Sequence, residues 1–258
     1  MWTKETIITS DRILAAFPNN YHKMDVFYTN GNPISWRGRI CKHPSTKETL
    51  IVTGHSDYPI VDSLIALYPN TRWFGTNNQS TRAQGIPLGI TNNTHESELH
   101  PIYGNLDIMV DVVSKPRNIR NLVYMNFVIG TYPHERQMVW NMFQGKSWVT
   151  TGTSIASLDG RKTFLEEIRN HSFVLCPRGN GVDTHRLWET LYMGSIPIVR
   201  KDIAHSGWTD LPIVFVDSWE EVTEDFLRKE EVRIQSTEWN WKKLNVHYWI
   251  DKIRQVKK

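Results

Sequence analysis

Between residues 121 and 216, short apolar, β-branched runs alternate with segments whose apolar residues recur at helical spacing. That alternation leaves the chain few folds to choose from. "NLVYMNF" (121–127), "SWVTTG" (147–152), "SFVLCP" (172–177), "SIPIV" (195–199) and "LPIVFV" (211–216) read as strands. "PHERQMVWNMFQG" (133–145), opened by proline and closed by glycine, reads as a helix, as do "GRKTFLEEIRN" (160–170) and "DTHRLWETLYMG" (183–194). The acidic "SWEEVTEDFL" (218–227) opens another. Strands alternating with helices imply a parallel sheet with right-handed crossovers.

A shorter series precedes it. "MDVFYT" (24–29), "TLIVTG" (49–54) and "RWFGTN" (72–77) read as strands, with the helix-like "YPIVDSLIALYP" (58–69) between two of them. The chain therefore reads as α/β, with two Rossmann-like lobes joined near "VSKPRN" (113–118). Residues 1–116 form the N-terminal lobe and 117–236 the C-terminal one. Residues 237–258 read as one amphipathic helix with a basic end, able to pack back across the first lobe. Ligands of such sheets bind at the carboxyl ends of the strands.

Composition narrows the class. The 258 residues suffice for one large domain or two small ones, and 40% hydrophobic with 22% charged residues is a soluble globular balance. A formal charge of +3 is too even for a nucleic-acid protein but leaves room for a local anion site. Two cysteines, Cys41 and Cys176, exclude a disulfide scaffold and suit a reducing compartment. The N-terminus shows no signal-peptide pattern, and no run of about 18 apolar residues occurs. The expectation is a cytoplasmic protein without stable membrane insertion, in which the sequons at Asn78, Asn92 and Asn170 are chance matches. Eleven tryptophans fit core filling, though aromatic faces also serve sugar sites.

The stretch "FVLCPRGNGVDTHRLWETLYMGSIPIV" (173–199) carries the most chemistry. A buried strand leads into "RGNGVD", whose glycines let backbone approach a ligand closely. Asp183 or Thr184 is a good N-cap for the next helix, Leu187 and Leu191 face the core one turn apart, and Gly194 ends the helix. A helix N-terminus behind a glycine loop is an anion site. Arg178 enters that loop and Arg186 sits in the first turn, each with a planar fork that matches phosphate oxygens. Glu189, three residues beyond Arg186, can share its face and accept from two vicinal hydroxyls. A plain βαβ unit with a surface Arg–Glu pair fits the same residues. The glycines match neither the dinucleotide fingerprint nor a P-loop, which argues against a dehydrogenase and an NTPase.

At these residues the sequence resembles the exostosin-like glycosyltransferases, glycosyltransferase family 47, which share F-x-L-x-P-x-G followed by R-x-x-E-A and a downstream (I/V)-P-V. The half "DTHRLWETLYMGSIPIV" is most similar to small bacterial and viral members. The likeness covers about 60 residues well, from Phe164 to Val216, with weaker similarity in 73–90 and 121–136. Thr190 stands where the family usually has alanine. The resemblance implies a GT-B fold, with two facing Rossmann-like domains and a deep cleft between them. It implies inverting transfer of a sugar, usually from a UDP-sugar, to a hydroxyl of a glycan acceptor. Carried over by position, Arg178 and Arg186 contact the donor diphosphate, the loop from Gly179 through Gly181 to Thr184 and His185 cradles it, and Glu189 holds the ribose. A viral source would place the activity in the host cytoplasm.

Inverting transfer needs a base for the acceptor hydroxyl and positive charge for the leaving diphosphate. No D-x-D triplet occurs, so the expectation is an enzyme without cofactor or metal, in which arginines and a helix dipole take the cation's place. The base is expected across the cleft, where "TLIVTGHSDYPIV" ends a strand. Asp57 is favoured, with His55 next; Asp57 could instead cap the helix near Pro59. Asp25, Glu96 and His100 are weaker candidates. Asn126, Thr131 and Arg136, after the first strand of the second lobe, could touch donor or acceptor, although Arg136 also reads as an exposed helix residue. Main-chain groups near Val199 and Arg200 could meet the nucleobase. No basic pair beyond the diphosphate site is evident, which favours a neutral donor sugar; xylose, glucose, galactose, glucuronic acid and N-acetylglucosamine all fit. Two alternatives stand: a catalytically silent sugar- or nucleotide-binding relative acting as an interaction protein, and an NAD(P)-dependent epimerase or reductase, which the missing fingerprint opposes.

Overall fold

A computed structural model describes residues 2–17, 26–29, 32–35, 37–42, 49–54, 57–94 and 97–255, the three strands between 26 and 42 by their backbone alone. The first half contributes helix α1 (Ser10–Ala15), strands β1 (Val26–Thr29), β2 (Asn32–Ser35), β3 (Arg37–Lys42) and β4 (Thr49–Gly54), helix α2 (Asp62–Ala66), strands β5 (Thr71–Gly75) and β6 (Gln84–Gly85), and helices α3 (His100–Tyr103) and α4 (Leu106–Ser114). The second half alternates β7 (Asn121–Met125), α5 (Pro133–Phe143), β8 (Val149–Thr151), α6 (Leu158–Arg169), β9 (His171–Leu175), α7 (His185–Tyr192), β10 (Ile196–Arg200) and β11 (Val214–Val216). It closes with α8 (Glu224–Gln235) and α9 (Val246–Arg254).

The second-half sheet is parallel throughout, in the order β11-β10-β9-β7-β8. In order along the chain this is 2-1-3-4-5, a doubly wound sheet whose direction of growth reverses between β7 and β9. The strands alternate as a sheet covered on both faces requires. Phe173 and Leu175 of β9 join one apolar cluster with Val139 and Phe143 of α5 and Leu227 of α8. Val174 and Cys176 join the opposite one with Leu165 of α6 and Leu187 and Leu191 of α7. That second cluster continues into the first half through Ile7, Ile13, Val52, Phe74 and Ile90, so one apolar core serves both halves.

The first-half sheet has the order β3-β4-β5-β6, parallel from β4 to β6 and antiparallel between β3 and β4. Two expectations change here. The strand at 24–29 does not join a parallel series: β1 pairs with β2 as an antiparallel ribbon, Thr29 opposite Asn32. The intervening Asn30–Gly31 is the dipeptide that favours a two-residue hairpin. The last stretch is not one helix. A 3-10 turn spans Trp241–Leu244, and Asn245 then caps α9, its side chain accepting from the His247 N–H. α9 turns its apolar stripe (Val246, Trp249, Ile250, Ile253) into the shared core, and its Val246 N–H donates to Thr6 O at 2.9 Å. The tryptophans serve mainly as core: Trp73, Trp188, Trp208, Trp219 and Trp249 are almost fully buried. Among the described residues, no helix is long and apolar enough to cross a membrane.

Candidate active site

Where a doubly wound sheet reverses direction, the crossovers leaving the two central strands go to opposite faces, and a crevice opens at their carboxyl ends. Here α5 follows β7 on one face and α7 follows β9 on the other. A cavity of about 520 Å³ lies at this position. The second half lines it with Thr131 and Arg136 after β7, Ile155 after β8, Arg161 and Phe164 of α6, and much of the β9–α7 unit, Gly179 to Gly181 and Asp183 to Arg186, with Glu189. The first half closes it with Asp57, Leu88, Thr91, His100 and Tyr103.

The loop after β9 is tightly built. The Gly179 N–H donates to Gly181 O at 3.0 Å, folding the loop on itself. A Cβ on Gly181 would meet the Asn77 amide at 2.6 Å, and one on Gly179 the Arg136 Nη2 at 3.3 Å. The two glycines thus leave room for protein side chains, and both also line the cavity. Asn77 Oδ1 accepts from the Asp183 N–H at 2.8 Å. The buried Asp183 carboxylate accepts from the Leu88 N–H at 2.7 Å and the Trp188 indole N–H at 2.8 Å. Burial pushes this carboxyl up to about 7, against the N–H donors that favour its charged form. Asp183 is therefore the buried tie between the halves.

Helix α7 begins in the cavity wall. Thr184 has the extended conformation of an N-cap but makes no side-chain capping bond, whereas Thr9, Asn105, Ser157, Thr223 and Asn245 all cap their helices. First-turn N–H groups without a side-chain acceptor, at the positive end of the helix dipole, make a seat for an anion. His185 lies 2.7 Å from Gly89 O through Nδ1. A carbonyl only accepts, so Nδ1 carries a proton in this contact.

Three guanidinium groups face this cavity. Arg186 is half-buried over the Phe164 ring at 5.7 Å and has no carboxylate partner among the described residues. Arg136 is only 5% exposed, and its fork is fixed by Arg178 O and Val128 O, each at 2.8 Å. Burial, followed by the like charge of Arg186, lowers Arg136 to about 10, so Arg136 stays cationic at neutral pH. An anion between them would relieve that repulsion. Arg161, 1% exposed, is the third, and its Nη1 donates to Glu189 Oε1 at 2.6 Å. Nothing in the sequence singled it out. It is a single arginine already paired with Glu189.

Of the sequence candidates, the cavity brings together Asp57, Thr131, Arg136, Gly179, Gly181, Thr184, His185, Arg186 and Glu189, together with the weaker His100. Arg136 is buried there, contrary to its reading as an exposed helix residue. Arg178 does not line this cavity. Its guanidinium lies 4.4 Å from the Tyr132 ring centroid and donates to Gly179 O and Asn180 O. It borders a separate pocket of about 20 Å³, which also takes in Val199 and Arg200. Glu135 Oε2 lies 3.5 Å from Arg200 Nη2, an ion pair in the wall of that pocket. Asn126 is buried, donating to the Tyr124 hydroxyl at 2.8 Å, and is outside the cavity wall. Asp57 is exposed and does not cap a helix, since α2 begins at Asp62 with Val61 as N-cap. Its Oδ2 accepts a long bond of 3.5 Å from Asn180 Nδ2, which sets it opposite the β9–α7 loop. His100 Nδ1 is 2.7 Å from Thr94 Oγ1. His55, Asp25 and Glu96 lie outside the described residues. Cys176, beneath the loop, is pushed up to about 12 by burial and stays a thiol. Among the described residues no group of three or more His, Cys, Asp or Glu could hold a metal ion.

No curated protein matches the chain. A family model described as the RXYLT1 C-terminal domain matches residues 124–258, just over half of the chain and the whole sequence from β7 onward apart from its first three residues. That span contains the reversal point of the sheet, the uncapped start of α7 and the three cavity arginines, and by it the chain belongs to the RXYLT1 C-terminal domain family, a family related to the exostosin-like glycosyltransferases.

Proposed function

We propose that this chain is an inverting glycosyltransferase that moves a sugar from a nucleotide-sugar, a UDP-sugar by preference, to a hydroxyl of a glycan acceptor without a metal ion. One observation carries the reading. A single cavity at the reversal point of the parallel sheet holds an uncapped helix N-terminus, an arginine with no carboxylate partner among the described residues and a buried glutamate. That is the set a nucleoside diphosphate needs: amides and cations for the pyrophosphate, and an acceptor for ribose hydroxyls. In this reading the two sheets are the facing lobes of a GT-B enzyme and the cavity is the inner part of their cleft.

The chemistry is a direct displacement at the anomeric carbon. The acceptor hydroxyl gives its proton to a base as its oxygen bonds the sugar, and the glycosidic oxygen leaves on the diphosphate. Asp57 is the base, placed on the wall opposite the diphosphate seat. Arg186, Arg136 and the start of α7 stabilise the charge that collects on the leaving group. The Cys176 thiol, sealed and protonated, offers no nucleophile for a two-step retaining route.

Calorimetry with UDP and UMP, a thermal-shift panel of nucleotide-sugars and NMR of the product test this. The expected result is UDP binding tighter than UMP, one nucleotide-sugar stabilising most strongly, and a product of inverted anomeric configuration. Stabilisation by a nicotinamide dinucleotide with none by any nucleoside diphosphate would overturn it. UDP binding without turnover on any donor would turn it toward a silent binding protein.

A further inference from the structure

We propose that Arg161 is the positioning residue of the nucleoside subsite: it holds Glu189 aimed so that one carboxylate oxygen stays open for the ribose. The inference rests on the reading of Glu189 as the ribose acceptor.

The geometry begins on α6. Ser157 caps this helix through the Gly160 N–H, and Arg161, Leu165 and Ile168 follow along one buried stripe. Leu165 and Ile168 enter the shared core, so the helix presents a cation where its pattern calls for an apolar residue. The guanidinium is walled in by the Tyr103 ring at 6.0 Å and the Phe164 ring at 5.7 Å. Among the described residues it makes a single bond, Nη1 to Glu189 Oε1 at 2.6 Å, while its Nε and Nη2 have no partner.

Stability alone does not account for this arrangement. Arginine and carboxylate usually pair through both prongs of the fork, and a buried pair of this kind is often no more stable than packed apolar residues. The one-pronged contact leaves Glu189 Oε2 without a partner among the described residues, on a residue that lines the cavity. Arg161 is too buried to reach a ligand itself. It acts through Glu189, keeping the carboxylate's rotamer fixed before the nucleotide arrives.

The test compares UDP with 2′-deoxy-UDP by calorimetry on the full chain, with circular dichroism to confirm folding. Wild type is expected to favour UDP by about 10-fold or more, the scale of a hydrogen bond to a charged group. Arg161→Met should cut that preference to about 3-fold or less while its affinity for 2′-deoxy-UDP stays within about 3-fold of wild type, since the lost contact belongs to the 2′ hydroxyl. Arg161→Lys keeps the charge without the planar fork and should fall between; if Arg161→Met does not fold, the lysine variant supplies the same ratio. An unchanged preference in a folded variant, or equal weakening of both nucleotides, would reduce Arg161 to a structural residue and overturn the proposal. Wild type binding both nucleotides equally would overturn it by removing the ribose role of Glu189. Wild type binding neither would instead defeat the glycosyltransferase reading, and this proposal with it.

Discussion

The two walls of the cavity are built in opposite ways. On the second-half wall the charged groups are fixed before any ligand arrives: Arg136 by two carbonyls, Glu189 by Arg161, the loop by its own Gly179–Gly181 bond. On the first-half wall Asp57 is exposed and, among the described residues, held by one bond of 3.5 Å. A rigid seat suits a diphosphate, because guanidinium groups already oriented need no reordering when the anion binds. A base that must meet a variable acceptor hydroxyl can stay solvated and close on its partner only when the ternary complex forms. Substitutions on the two walls should therefore separate cleanly, the first wall governing turnover and the second donor affinity.

The largest separation is expected at Asp57. Asp57→Asn should lower kcat by about 10²- to 10⁴-fold, the usual contribution of a positioned base, and leave the UDP Kd within about 2-fold. Stopped-turnover assays beside calorimetry check both numbers. Full turnover in the variant would shift the base to His55, the next sequence candidate, or to His100 in the cavity wall.

Asp183 ties the walls together, and its behaviour with pH can break the tie in a graded way. Its folded-state value of about 7 lies above the 3.8 of the free carboxyl, so the folded chain holds this proton more tightly than the unfolded one. The contribution to stability is complete below about pH 4 and is lost as pH rises through 7, on the order of 4 kcal/mol at 1.4 kcal/mol per unit. Denaturant unfolding of wild type and Asp183→Asn at a series of pH values isolates it, because other titrating groups cancel in the difference. That difference should fall from pH 4 to pH 8; a flat difference would show the carboxyl titrating normally.

Much of the second-half wall was legible in the sequence, and the reason is local. β9 is a run of buried residues with a loop and a helix behind it, and Gly194 stops that helix at φ 80° as its position foretold. Spacing along α7 was enough to put Arg186 and Glu189 on one cavity. Side-chain direction was not legible where the partners are distant in sequence. Arg178 turns onto Tyr132, and Arg136 turns inward to carbonyls of two different segments, Val128 and Arg178. Arg161 left one faint signal, its i, i+4, i+7 register with Leu165 and Ile168, but a charged residue in a helix reads as solvent-facing until its partner is seen. The fold changed where turn and cap chemistry went unread, at the Asn30–Gly31 dipeptide and at Asn245.

Arg186 sharpens the contrast within the second-half wall. It has no carboxylate partner among the described residues, so Arg186→Ala should scarcely change the melting temperature of the free protein, and it removes a like charge from beside Arg136. The same change should weaken UDP by about 10- to 100-fold, the scale of hydrogen bonds to a charged group, and weaken uridine hardly at all. Calorimetry with both ligands, and melting curves without either, decide it. Equal losses for UDP and uridine would mean that the arginine shapes the cavity and does not bind phosphate.

The smallest effect expected is at the seam between the walls. Gly181 leaves room for the Asn77 side chain, whose Oδ1 accepts the Asp183 N–H, and an added Cβ would come within 2.6 Å of the Asn77 amide. Asn77 sits in the left-handed region at φ 53°, so its backbone is poorly placed to give way, and the side chain must rotate instead. That rotation costs the bond to Asp183. Gly181→Ala should therefore destabilise the chain by about 1–2 kcal/mol, the cost of a strained contact plus one buried hydrogen bond. Gly130→Ala is the matched control, since a Cβ there meets nothing within 4 Å. Denaturant curves on the pair resolve a difference of this size. If both variants unfold alike, the seam is looser than the Asn77–Asp183 contact implies, and the Leu88–Asp183 bond is the stronger of the two ties that Asp183 makes to the first half.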